Sequence, residues 1–313
     1  VTSITMEDER GCVRRLASEA QLKVPTDTMI MIATSAGIGI WATHSPRNTT
    51  RISRTTPAVK QDSPLPDRDQ SGFMVFDTVI KLIRLPVVAE TYDGRFSDID
   101  GQHVTEAHAL AAINGARGGP VAEGNVGGGN GMRSYQFKGG TGTSSRQIEL
   151  GGQGYTVAAL VQANHGIRPW LTILGKPVGQ LIPEDAFYPG EMGSIIVIVA
   201  TDAPLSGLAL RQLAKRAAIG IGRGGTPGGN NSGDIFLAFS TANEGPMPQF
   251  APAVVTKQEL NIELLDNLYL AAVQSIEEAV VNAMVAGEDV ATVKPEGLTC
   301  RALDHARLKA IFG

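Results

Sequence analysis

The segment GSIIVIVATDAPL (Gly193 to Leu205) constrains this chain most. Its residues from Ser194 to Val199 are β-branched after the serine, and a strand with no polar alternation has to be covered on both faces. Leu208 to Arg223 (LALRQLAKRAAIGIGR) follows with helical periodicity and ends among glycines suited to a C-cap. Asp234 to Thr241 (DIFLAFST) reads as a second buried strand, and Glu263 to Gly287 as a long helix closed by its glycine. Upstream, Val104 to Ala116 predicts a helix, Gly154 to Asn164 a strand, and Trp170 to Gly175 that strand's partner. Strands in the middle with helices before, between and after them predict an α/β fold of sheets under helical layers.

Composition excludes several classes. The 37 glycines among 313 residues follow no collagen-like period and accompany ordinary amounts of Val, Ile, Leu and Ala, which argues against a fibrous or wholly disordered chain. A net charge of -4, with no run of Lys and Arg, gives no footprint for a phosphate backbone, so no nucleic acid partner is expected. Cys12 and Cys300 cannot build a disulfide framework, and a reducing, cytoplasmic location is the default expectation. The apolar stretch from Met29 to Ala42 is too short and too broken to span a membrane or act as a secretory signal, so no membrane partner is expected. His44 to Gln70, rich in Pro, Ser, Thr and charge, has the composition of a loop or linker.

Read one at a time, the motifs are ambiguous. GIGRGG (Gly220 to Gly225) has dinucleotide-fingerprint spacing but follows a helix instead of a strand, which makes it a helix-ending loop. His44, His103, His108, His165 and His305 show no metal-ligand spacing, and no metal or cofactor is expected. The glycine clusters Gly124 to Met132 and Lys138 to Arg146 fit either flexible turns or loops whose backbone N–H groups approach an anion or a reacting carbonyl. At Gly193-Ser194 a loop delivers a hydroxyl to the first position of a buried strand. Were that bond cut, the new α-amine of Ser194, with a reference pKa near 8, could serve its own Oγ as general base. Ser232 and Asp234 stand two apart at another strand start, where alternation puts both on one side of an extended chain. Taken alone, each of these is also an ordinary turn. Ser275 and Glu277, two apart in a helix, point apart and form no joint site.

Six segments in order change that balance: LPVVAETYDG (Leu85 to Gly94), GPVAEGNVGGGNGM (Gly119 to Met132), FKGGTGTSSR (Phe137 to Arg146), YTVAALVQANHG (Tyr155 to Gly166), GSIIVIVATDAPL (Gly193 to Leu205) and SGDIFLAFSTAN (Ser232 to Asn243). Together they resemble the DmpA-type L-aminopeptidase/D-esterases and β-peptidyl aminopeptidases. The resemblance implies a four-layer αββα sandwich similar to N-terminal-nucleophile hydrolases, with its own connectivity. It implies self-cleavage between Gly193 and Ser194, with Ser194 as the nucleophile of the new β chain. It also places the hydroxyl and acid partners on Ser232 and Asp234, the oxyanion asparagine on Asn164, and the substrate-side tyrosine and acid on Tyr92 and Glu90. Glu90 would pair with the substrate's ammonium, and Lys138 would either line the site or be solvated.

The implied organisation is a divergent N-terminal region 1–84, with a linker-like 44–70, and an aminopeptidase core 85–313 cut into an α chain 1–193 and a β chain 194–313. The expected partners are short peptides, amides or esters and further copies of the cleaved protomer, forming a homo-oligomer. Two alternatives stay open: an amide hydrolase for a non-peptide or oligoamide substrate, and a catalytically silent binding protein on the same scaffold.

Overall fold

The computed structural model describes residues 87–313, apart from 102, 117, 187–189, 192 and 244–251, together with four short strands among the first 42 residues. The linker-like stretch 44–70 and Cys12 lie outside the described residues.

Two sheets organise the chain. In the smaller, β1 (Met29–Thr34) lies between β2 (Gly37–Ala42), antiparallel to it, and β3 (Val87–Glu90), parallel to it. The early apolar stretch, featureless as sequence, is therefore a strand pair of this sheet. The helix α1 (Glu106–Gly115) packs against β2.

The larger sheet contains β4 (Gly140–Leu150), β5 (Gln153–Asn164), β6 (Ser194–Thr201) and β7 (Ile235–Ser240), in the order β7-β6-β5-β4. Neighbours are antiparallel except β6 and β7, whose parallel pairing needs a crossover connection. That crossover is α2 (Gly207–Arg223), begun by the Ser206 hydroxyl accepting the Ala209 N–H and ended at Gly224.

The uninterrupted apolar run of β6 is explained by what covers it. Ile195, Val197 and Val199, with Val157, Ala159, Val161 and Ala163 of β5, join the main core under α2 and α3 (Asp266–Val285). On the opposite face Ile196, Ile198 and Leu160 meet Ala89 of β3 and Leu237 and Phe239 of β7. The layers are helix, sheet, sheet, helix, as the resemblance implied. Each fully buried Val or Ile contributes about 2 kcal/mol, so the β6 run is a principal source of stability. Helix α3 is the one described helix apolar and long enough to cross a membrane by length and composition, but it is mostly buried as the central core helix.

Three sequence expectations change. Lys138 to Arg146 forms no loop; from Gly140 it is strand. Gly142 lets α3 pack directly on β4, because a Cβ there would lie 2.0 Å from the Ala279 carbonyl oxygen. Trp170 to Gly175 is no strand: it begins in a 3-10 turn and closes through a Leu174–Gly175 bend with positive φ, while Leu171 and Ile173 plug the main core. β7 is an edge strand, partly exposed along its length, and not fully buried. The remaining elements match their predicted positions, and GIGRGG indeed ends a helix. Within α3, Ser275 donates to the Val157 carbonyl and Glu277 pairs with Arg223, so the two side chains share no site.

Candidate active site at Gly193 and Ser194

The sheet register places Ser194, first residue of β6, directly opposite Asn164, last residue of β5. The residue before it can only be glycine, since a Cβ on Gly193 would lie 1.7 Å from the Asn164 carbonyl oxygen. The Gly193–Ser194 peptide is thus pressed against the end of β5.

The β7 end supplies the polar groups around it. The Gly233 N–H donates to Ser194 Oγ at 2.9 Å. The Ser232 hydroxyl is 2.6 Å from Asp234 Oδ1 and 3.2 Å from the Gly193 carbonyl oxygen, and Asp234 Oδ1 also accepts the Ile195 N–H at 3.0 Å. The two-residue spacing does put Ser232 and Asp234 side by side, and because β7 is parallel to β6, both strand starts come to the same end of the sheet.

Asn164 is held at both ends of its amide. Its Oδ1 accepts the Arg133 N–H at 3.0 Å and its Nδ2 donates to the Tyr92 carbonyl at 2.9 Å. This fixes which end is oxygen and leaves the second N–H of Nδ2 without a partner among the described residues.

The remaining predicted residues divide. Tyr92 reaches the cluster through its backbone carbonyl, while its side chain is 52% exposed and folds over Gly94. Glu90, at the end of β3, is solvent-exposed. Lys138 is neither solvated nor turned to a substrate: it is fully buried, and Nζ donates to the carbonyls of Gly129 and Gly139 at 2.9 and 2.8 Å. Burial pulls its pKa down to about 8. Its role here is to brace the glycine-rich turn Gly127–Gly131.

Two groups escaped the sequence reading. The Gly233 N–H is a backbone donor, which no side-chain pattern signals. His165, next to Asn164, is fully buried with neither ring nitrogen hydrogen-bonded among the described residues, edge-on to Tyr135 at 5.1 Å. Burial pushes its pKa down to about 4, against the pull of Asp234. The folded state therefore refuses a proton that the unfolded chain accepts near pH 6.5, and stability is lost as pH falls from about 6.5 towards 4, by on the order of 3 kcal/mol. Urea midpoints of the Ser194→Ala chain at pH 7 and pH 4.5 should show this loss, and His165→Phe should remove most of it. An equal loss in His165→Phe would assign the acid sensitivity elsewhere.

The model of Peptidase family S58 matches residues 77–297. The chain belongs to peptidase family S58. The beta-peptidyl aminopeptidase BapA of Sphingosinicella microcystinivorans is 49% identical over 72% of this chain and 60% of its own length. The solved L-aminopeptidase D-Ala-esterase/amidase of Ochrobactrum anthropi, described as a serine aminopeptidase and a new variant of the Ntn hydrolase fold, superposes with a TM-score of 0.70 at 55% identity, over 75% of this chain and 64% of that one. A Burkholderia sp. beta-aminopeptidase gives 0.64 at 44% identity, over 72% and 63%. The chain thus spans under two thirds of the length of these relatives. The family match begins eight residues before Leu85, and the likeness to the Ochrobactrum anthropi structure places the chain's fold with a variant of the Ntn hydrolase fold.

Proposed function

We propose that the chain is a self-processing serine aminopeptidase/amidase in which Ser194 is first the residue behind the cleaved bond and then the N-terminal nucleophile. The observation that carries this reading is the convergence on one peptide bond: the Ser232 hydroxyl at the Gly193 carbonyl oxygen, the Gly233 N–H on Ser194 Oγ, and Asp234 on the next N–H.

In self-cleavage Ser194 Oγ attacks the Gly193 carbonyl carbon. The Gly193–Ser194 C–N bond breaks, the hydroxyl proton passes to the departing nitrogen, and an ester joins Gly193 to Oγ. Water hydrolyses the ester, leaving a Gly193 carboxylate and a Ser194 with both a hydroxyl and a free α-amine. In turnover the α-amine takes the Oγ proton as Oγ attacks the substrate carbonyl and returns it to the leaving amine; water then hydrolyses the acyl-serine ester, releasing the acid and restoring the hydroxyl. The second Nδ2 N–H of Asn164 holds the oxyanion. Ser232 and Asp234 orient hydroxyl and amine.

The substrates are short peptides, amides or esters with a free N-terminal amine, bound through the exposed carboxylate of Glu90, with Tyr92 beside it. The family relatives' names and the position of Glu90 two residues before Tyr92 support this. A free-amine dipeptide amide and its N-acetyl form decide it: acetylation should lower kcat/KM at least about a hundredfold, and Glu90→Gln should cost the free-amine substrate about ten- to a hundredfold, mostly in KM, as loss of a charged hydrogen bond does. Rapid turnover of a long acylated amide, with none of the free-amine dipeptide, would overturn the aminopeptidase reading in favour of a different amide substrate.

A further inference from the structure

Glu191 lies two residues before the proposed cleavage point and has no part in the chemistry above. One carboxylate oxygen, Oε1, accepts the Gly166 N–H at 2.7 Å. The other, Oε2, is buried and has no hydrogen-bond partner among the described residues. It presses on Gly229, where a Cβ would lie 2.2 Å from Oε2. The carboxylate is therefore wedged between two backbone segments. One is the turn Asn164-His165-Gly166, which carries the oxyanion asparagine. The other is the glycine loop that leads into Ser232, Gly233 and Asp234.

A surface glutamate gains nothing from such a position. Glu191 is held instead by the packing of its carboxylate against Gly166 and Gly229, positions that leave it little freedom to move. Glu191 belongs to neither of the segments it touches. It belongs to the acyl side of the Gly193–Ser194 bond, and it joins that side to both halves of the site.

We propose that Glu191 is a positioning residue for self-cleavage: it clamps the segment ending in Gly193 so that the Gly193 carbonyl stays between the Ser232 hydroxyl and Ser194 Oγ until the bond is cut. The proposal rests on the self-processing reading. The clamp matters because, among the described residues, the acyl side is held by few groups: Gly193 against the end of β5, and Glu191. β6 begins only at Ser194, so the sheet ladder orders the amine side of the bond, while the described bonds on the acyl side are those of Gly193 and Glu191. After cleavage the substrate brings its own acyl group, and the clamp has no further step to serve.

The test compares two rates in Glu191→Ala and Glu191→Gln. The first is the appearance of cut chains in freshly made protein, followed by intact mass. The second is kcat/KM on a free-amine dipeptide amide per cut chain. Glu191→Ala should slow cutting by on the order of a hundredfold, the scale of a displaced reacting group. Glu191→Gln keeps an acceptor for the Gly166 N–H and should cut within a few-fold of the unmutated chain. In both, kcat/KM per cut chain should change far less than the cutting rate of Glu191→Ala. The thermal midpoint of Glu191→Ala in the Ser194→Ala chain should confirm that the protein still folds. Cutting of Glu191→Ala at the unmutated rate, glutamine failing to rescue it, or kcat/KM falling in step with cutting would each overturn the clamp. An unmutated chain that stays uncut would instead remove the self-processing reading on which it depends.

Discussion

Arg168→Met, made in the Ser194→Ala chain so that unfolding involves one polypeptide, is expected to lose about 4 kcal/mol or more, a large share of an ordinary domain's stability. The guanidinium is buried, and among the described residues no carboxylate is hydrogen-bonded to it. It donates instead to four backbone carbonyls: Tyr135 at 3.0 Å and Gln136, Ile182 and Glu184 at 2.8 Å. It also stacks 3.3 Å over the Phe137 ring. Two of those carbonyls belong to a hairpin turn in which Tyr135 and Gln136 both have positive φ, at 48° and 62°, positions that glycine or asparagine would occupy at lower cost. Arg168 holds that turn to the segment 182–184, which runs on towards the cleavage loop. Methionine matches much of the stem but leaves the carbonyls without a donor. Lysine should recover less than half the loss, because one ammonium cannot span the positions that a planar fork reaches. Urea denaturation gives the numbers; a loss below about 1 kcal/mol for Arg168→Met would show that the turn is held by packing alone.

Asn164→Asp is expected to lower kcat by about a hundred- to a thousandfold, the usual cost of removing one oxyanion donor. Aspartate keeps the oxygen that accepts the Arg133 N–H, removes both N–H groups, one given to the Tyr92 carbonyl and one without a partner among the described residues, and adds a negative charge where the oxyanion would form. It therefore tests the proposed oxyanion donor while keeping the anchoring acceptor, which alanine would also remove. Self-cleavage should slow as well, because the Gly193 carbonyl passes through the same kind of oxyanion. Steady-state rates, normalised to the fraction of cut chains, measure the effect. An unchanged kcat would assign the oxyanion to backbone donors such as Gly233.

The sequence made the large sheet and its helices legible wherever burial is complete or periodicity is clean. The β6 run, covered on both faces, could only be a strand, and α2 repeats its buried residues Ala209, Leu213 and Ala217 every fourth position. β4 was hidden because the glycine that lets α3 approach, Gly142, also makes the segment look like a turn. The segment after Trp170 mimics a strand in sequence because buried Leu171 and Ile173 alternate, while Leu174 turns the chain.

For the site, Ser194 with Ser232 and Asp234 followed from spacing and resemblance, and the parallel register explains why they meet. Asn164 and the Tyr92 carbonyl join them only through the end of β5, a long-range consequence of folding. Lys138 shows the opposite limit: its type suggested an exposed or substrate-facing cation, whereas the neighbouring carbonyls that bury it are contributed by glycines without any side-chain signal.

The most direct test of the account is the mass of the protein under denaturing conditions. The unmutated chain should give two species corresponding to residues 1–193 and 194–313, the second with Ser194 as its free N-terminus, and Ser194→Ala should give one. A single uncut 313-residue species that turns over free-amine substrates at full rate would contradict the assignment of Ser194 as an N-terminal nucleophile.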